Sequence, residues 1–184
     1  MLFRLPNLLT LSRIFIIPAL VGTFYLKSPL GNWLGLIVFV YAGITDFFDG
    51  YVARAQNLQS KLGQFLDPVA DKLLVASAIV MMIAFHRIWG FSVLAALVIL
   101  CREIMVSGLR EFLAEIKVSV PVSTLAKWKT TLQVVSLSFL LVGDAAPAWI
   151  PADMIGTVTL WIAAILTLYT GYDYLRTGLK HMTA

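Results

Sequence analysis

Charge is scarce in this chain. Of its 184 residues 13% are Asp, Glu, Lys or Arg, against 60% hydrophobic, and the mean hydropathy is +0.88. A soluble domain of this size needs more charge on its surface, so the composition excludes that class and points to membrane-embedded helices. The single cysteine, Cys101, sits in an apolar run. It cannot form an internal disulfide, which excludes a stapled extracellular framework, and it reads as a packed thiol. Histidine is almost as rare, with two residues, neither beside the acids described below. That leaves a zinc site without its usual donors, and His86 reads as an interfacial residue. The basic residues form no long run and have no interleaved aromatics, which argues against nucleic acid as a partner. The net charge of +4 and pI of about 9.3 instead fit anionic lipid headgroups or anionic substrates. Repeats and low-complexity tracts are absent, so residues 1–184 are expected to form one domain.

What is abundant is apolar sequence in long runs. A bilayer core requires roughly 20 apolar residues per helix. Six runs qualify, at about 8–27, 32–54, 65–86, 89–114, 125–143 and 153–176, separated by turn-like or charged stretches such as "KSPLGN", "RAQNLQSK" and "GDAAPAWIPAD". The first run is expected to remain as a span, because Arg13 interrupts it and no small-residue cleavage site follows. Pro18 should bend or weaken that helix. With the N-terminus inside, Arg4, Arg54, Lys61, Lys72, Arg110, Lys117, Lys127, Lys129, Arg176 and Lys180 collect on the cytoplasmic side, and only Lys27 and Arg87 on the other. Both termini are therefore expected in the cytoplasm. Trp and Tyr near the span ends fit an aromatic belt.

Against this background the stretch "DFFDGYVARAQNLQSKLGQFLDPVAD", from Asp46 to Asp71, is unexpected. On a helix Asp46, Asp49, Gly50 and Ala53 share one face, and Asp67 and Asp71 share another. Clustered carboxylates at a membrane interface repel or take up protons unless a cation relieves them. Oxygen-only donors select hard divalent ions such as Mg²⁺, Mn²⁺ or Ca²⁺. Gly50, Ala53 and Gly63 clear side-chain bulk where a ligand must come near the backbone, and Arg54 suits a phosphate. Together they point to a metal-bound nucleotide or pyrophosphate. The bland alternative is solvated loop acids and helix caps, with Asp67 before Pro68 as an N-cap. Four acids at these spacings among small residues weigh against it.

The stretch resembles the signature of the CDP-alcohol phosphotransferases, D-x2-D-G-x2-A-R-x8-G-x3-D-x3-D, and matches it at Asp46, Asp49, Gly50, Ala53, Arg54, Gly63, Asp67 and Asp71. The resemblance implies an all-α integral membrane protein of the bacterial inner membrane, with six transmembrane helices around a polar, cytoplasm-facing cavity, usually as a homodimer. By the same resemblance Asp46, Asp49, Asp67 and Asp71 would bind two divalent cations, Mg²⁺ or Mn²⁺. Asp46, Gly50, Ala53, Arg54, Gly63 and Asp67 would contact the CDP moiety of CDP-diacylglycerol, and Asp71 would be the general base.

The signature does not choose the acceptor. "LPNLLTLSR", "CREIMVSGLREFLAE" and "LAKWKTTLQ" resemble segments of the bacterial members that use sn-glycerol 3-phosphate and release CMP. The residues agree. Arg102 lies deep enough in the fourth run to be costly in lipid. Arg110 lies eight residues on, and Lys127 and Lys129 enter the fifth run from the same side. A dianionic phosphate in a cavity requires such cations. Arg110 and Lys127 are the expected acceptor-phosphate ligands, with Arg102 next. The alternatives are anchoring for the lysines and a surface pair of Arg110 with Glu111 or Glu115. Thr10 and Arg13 are candidate phosphate contacts, although Asn7 or Thr10 can equally cap the first helix. Two rival readings stay open: a family member with another acceptor, such as phosphatidylglycerol or inositol phosphate, and a divalent-cation transporter.

Overall fold

The computed structural model describes residues 5–56, 61–116, 118 and 124–182, with side chains at 12, 14–45, 66, 68–116, 118 and 125–179. Among the described residues the chain forms six α-helices and one short 3-10 turn: α1 Leu5–Thr23, α2 Leu30–Gln56, α3 Lys61–Ala84, α4 Ser92–Glu115, α5 Thr124–Val142, the turn Gly143–Ala145, and α6 Ala152–Met182. All six apolar runs became helices. The separators "RAQNLQSK" and "AEIKVSVPVS" fall partly outside the described residues, as does Arg4.

The main shift is at α3, which starts at Lys61 rather than near residue 65 and encloses Pro68. Asp67 therefore lies in the body of a helix, and its capping role is excluded. Pro68 lacks the N–H that would reach the Gln64 carbonyl, and Pro18 does the same to Ile14 within α1. Both helices continue past the missing bond. Asn7 and Thr10 likewise lie inside α1 rather than at its cap.

The chain divides into two compact units, residues 1–87 with 141–152, and 88–140 with 153–184. In the first, α2 and α3 both pack on α1. A Cβ on Gly31 would lie 2.5 Å from the Thr23 carbonyl oxygen, so only glycine lets α2 start against the end of α1. Phe85, just after α3, lies against Phe24 (5.5 Å between centroids) and edge-on to Tyr25 (5.2 Å). The ends of α1 and α3 thus meet the start of α2, so α2 runs against the other two. His86 terminates α3 in a left-handed conformation (φ 56°). Its N–H reaches the Ile83 carbonyl at 3.1 Å, and the Arg87 N–H reaches that of Met82 at 2.8 Å, the paired bonds of a Schellman ending. Tyr25, Trp33 and Trp149 are exposed at this end, where a bilayer interface favours aromatics.

The second unit has an apolar core, including Ile99, Leu137 and Leu160, but it also buries polar groups and carries apolar ones on its outside. Arg102, Lys129, Gln133, Ser136, Thr167 and Thr170 are buried, whereas Leu97, Ile104, Ile162, Ile165 and Leu168 are exposed. Apolar side chains on the outside, with the polar ones turned into the bundle, suit a lipid environment. Helices α4 (Ser92–Glu115) and α6 (over Ala152–Leu179) are each long and apolar enough to cross a membrane. Ser136 Oγ donates to the Gly156 carbonyl at 2.7 Å, so the later part of α5 meets the start of α6. Arg102 meets Thr170, and Leu109 packs on Gly178, so α4 and α6 run the same way and α5 opposes α6.

Candidate functional site

The acids of the signature are carried by α2 and α3 in the first unit. Arg87 defines the opposite end, since its Nη2 donates to Asn32 Oδ1 at 2.7 Å and thereby joins the start of α2 to the residues that follow α3. Heights can be counted from there at about 1.5 Å per residue. Asp46 stands about 21 Å beyond Asn32 on α2, and Asp71 about 20 Å before Ala84 on α3. Asp49 and Asp67 each stand about 26 Å from the same two reference points. The two acid pairs therefore occupy matching levels of oppositely directed helices, at the end remote from Arg87.

Both helices run unbroken through these positions, so the i, i+3 and i, i+4 spacings hold Asp46 with Asp49, and Asp67 with Asp71, each within one turn. Gly50, Ala53 and Arg54 continue α2, and Gly63 lies in the first turn of α3. The side chains of Asp46, Asp49, Gly50, Ala53, Arg54, Gly63 and Asp67, like those of Thr10 and Arg13, lie outside the described residues. The Asp71 side chain is described, and it is exposed. Lys72 beside it bonds back to the Pro68 carbonyl at 3.1 Å. A donor set of carboxylates at one level, with neither imidazole nor thiolate in the signature, fits a hard divalent cation.

The basic candidates for the acceptor phosphate, Arg102, Arg110 and Lys127, lie in the second unit and divide into two kinds. Arg102 is buried and engaged by the protein itself. Its Nη1 lies 3.3 Å from Glu103 Oε1 and its Nη2 3.2 Å from Thr170 Oγ1. Its Nε has no hydrogen-bond partner among the described residues and faces the α6 backbone, where a Cβ on Gly171 would come within 2.9 Å of Arg102 Cγ. Glu103 Oε1 also accepts from Lys129, which is 4% exposed and so is no headgroup anchor. One carboxylate is thus shared by two buried cations from α4 and α5. Arg110 and Lys127, by contrast, are exposed. The Arg110 guanidinium lies over the Tyr174 ring, 5.6 Å from its centroid, so its partner is an aromatic on α6 rather than Glu111 or Glu115.

Glu103, Thr170 and Tyr174 escaped the reading of the sequence. A signal for Glu103 was present: a carboxylate inside an apolar span requires a cation, and Arg102 and Lys129 were the available ones. Thr170 and Tyr174 carry no comparable signal, because nothing local distinguishes them from other span residues.

Residues 3–169 match the family model described as CDP-alcohol phosphatidyltransferase. A protein of Rickettsia bellii (strain RML369-C), named CDP-diacylglycerol–glycerol-3-phosphate 3-phosphatidyltransferase, is 52% identical over 97% of this chain and 97% of its own length. Proteins of the same name from Salmonella choleraesuis (strain SC-B67) and Cereibacter sphaeroides are 42% and 35% identical, over 95% and 98% of this chain and 94% and 97% of theirs.

Proposed function

This chain belongs to the CDP-alcohol phosphatidyltransferase family, and from that premise we propose that it transfers the phosphatidyl group of CDP-diacylglycerol to sn-glycerol 3-phosphate, giving phosphatidylglycerophosphate and CMP. The observation that carries the donor half is the pairing of acids at matching heights on α2 and α3. The acceptor half is supported by relatives of that name along nearly the whole chain, and by two exposed cations, Arg110 and Lys127.

The reaction is a single displacement at the phosphorus that bears diacylglycerol. The C1 oxygen of glycerol 3-phosphate forms the new P–O bond, the bond to CMP breaks, and the hydroxyl proton passes to Asp71 as general base. Divalent cations, two in number and Mg²⁺ or Mn²⁺ in kind, would be held by Asp46, Asp49, Asp67 and Asp71 and would neutralise the pyrophosphate charge of the donor. Gly50, Ala53 and Gly63 leave clearance for the CDP moiety, and Asp46, Asp67 and Arg54 contact it. Arg54 also offsets the charge that develops on departing CMP. Arg110 and Lys127 bind the acceptor phosphate as charge-assisted donors. Arg102 is the next candidate after them, and its Nη groups are engaged by Glu103 and Thr170. Thr10 and Arg13 are further phosphate contacts.

We read all six helices as spans of a bacterial inner-membrane protein, with the acid end and both termini on the cytoplasmic side and a polar cavity open to that side. The donor's acyl chains then stay in the bilayer while the polar chemistry proceeds at its surface. Homodimer formation is part of the same reading.

The test is an acceptor panel. Purified protein is incubated with CDP-diacylglycerol and, separately, labelled glycerol 3-phosphate, inositol phosphate and phosphatidylglycerol. Phosphatidylglycerophosphate and CMP should form in equal amounts with the first acceptor only. Product with another acceptor, and none with glycerol 3-phosphate, would overturn the acceptor assignment. Metal uptake into proteoliposomes without CDP-lipid turnover would favour a transporter instead.

A further inference from the structure

We propose that Tyr174 is a positioning residue that holds the Arg110 guanidinium ready for a phosphate monoester, an inference that rests on the reading of Arg110 as an acceptor ligand. An exposed arginine on a helix samples many rotamers, and binding through it costs that freedom. Arg110 is exposed but not unconstrained. Its guanidinium carbon lies 5.6 Å from the Tyr174 ring centroid, and its Nε donates to Tyr174 Oη at 3.4 Å. Both contacts use the face and the Nε edge of the group. The two Nη nitrogens are left without a partner among the described residues. That terminal pair is the edge a guanidinium uses for two parallel bonds to phosphate or carboxylate oxygens.

The support for Tyr174 is built into the α4 and α6 contact. Thr170, Tyr174 and Gly178 recur at intervals of four and so lie along one stripe of α6. Thr170 Oγ1 receives Arg102 Nη2 at 3.2 Å on one side of Tyr174. On the other side a Cβ on Gly178 would meet Leu109 Cδ2 at 3.0 Å. Two close approaches thus bracket the half-buried tyrosine and restrict its sliding along α4. Arg102 and Arg110 then have different tasks: the buried one sets how α4 lies on α6, and the exposed one meets the ligand. The ring rather than the hydroxyl is the main constraint, because 3.4 Å is long for a hydrogen bond whereas 5.6 Å lies within cation–π range.

The test compares Tyr174→Phe, Tyr174→Leu, Arg110→Gln and Arg110→Gln/Tyr174→Leu as full-length proteins in one detergent or nanodisc preparation, with KM measured for glycerol 3-phosphate and CDP-diacylglycerol. Tyr174→Leu should raise the acceptor KM about threefold to tenfold, as expected for loss of a cation–π contact, and leave donor KM unchanged. Tyr174→Phe, which keeps the ring, should stay within about twofold of wild type. In the Arg110→Gln background Tyr174→Leu should add nothing. If Arg110→Gln raises acceptor KM while Tyr174→Leu does not, the positioning role is overturned and the acceptor reading stands. If Arg110→Gln itself leaves acceptor KM unchanged, the acceptor reading fails first. Equal effects of Tyr174→Leu on both KM values, or an undiminished effect without Arg110, would make Tyr174 structural only and also overturn the proposal. Should Tyr174→Leu not fold, Tyr174→Met removes the ring with less change in volume and is judged by the same outcomes.

Discussion

Arg87 and Asn32 are 55 residues apart, and Arg87 Nη2 donates to Asn32 Oδ1 at 2.7 Å. The amide is used at both ends, since Asn32 Nδ2 donates at 2.8 Å to the Val142 carbonyl and at 2.8 Å to Asp144 Oδ1. Arg87 also donates to the Leu141 carbonyl and lies over the Phe24 ring at 5.1 Å. Two carbonyls at the end of α5, those of Leu141 and Val142, thus accept from these two side chains. Four chain segments are thereby joined at the end of the first unit remote from the acids.

Asn32→Leu should lower stability by about 1–3 kcal/mol, because the Val142 carbonyl and the Arg87 guanidinium lose a buried partner. Thermal unfolding in detergent measures it. Turnover per folded molecule should stay near normal, because Asn32 lies about 21 Å along α2 from Asp46. A large fall in turnover without a change in stability would show that this end communicates with the acids.

Asp71→Asn should reduce turnover by about 10²–10⁴-fold, the usual range for loss of a general base. Binding of CDP-diacylglycerol, followed by equilibrium titration, should remain measurable. Near-normal turnover at saturating metal would remove Asp71 from the role of base. Asp46→Asn should weaken metal-dependent donor binding as well as rate.

Chelation of divalent ions should abolish turnover, and Mg²⁺ or Mn²⁺ should restore it. Zinc, which favours nitrogen and sulfur ligands, should restore little. Activity that survives exhaustive chelation would contradict the metal role of the four acids.

Glu103→Gln leaves two buried cations, Arg102 and Lys129, without their shared carboxylate. Breaking such a buried pair costs about 3–5 kcal/mol. Adding Lys129→Met removes one of the two buried charges that shared it, so the double variant should be more stable than Glu103→Gln alone. Unfolding midpoints of wild type, both single variants and the double variant test this. Simple additivity would mean that Glu103 and Lys129 are not energetically coupled.

Lys127→Gln should raise the KM for glycerol 3-phosphate by about 10–150-fold, the equivalent of one charge-assisted hydrogen bond, and leave that for CDP-diacylglycerol unchanged. If Lys127 is only an interfacial anchor, both KM values will hold and the yield of inserted protein will fall instead.

By itself the sequence determined the features that repeat at short range. The low charge and long apolar runs implied membrane helices, and all six runs are helical among the described residues. The eight-position signature implied the family, because its spacings of three and four residues are a helix's own period and survive however the helices pack. Even there one local signal misled: Asp67-Pro68 looks like a helix start, but α3 begins at Lys61 and passes through it. The tertiary structure decided which partner each cation has and which cations are buried. Arg102 and Arg110 look alike in sequence, yet one is locked to Thr170, 68 residues away, and the other lies on Tyr174, 64 away. Such pairings depend on which face of α6 meets α4. That choice is set by close approaches at Gly171 and Gly178 rather than by any local pattern of charge.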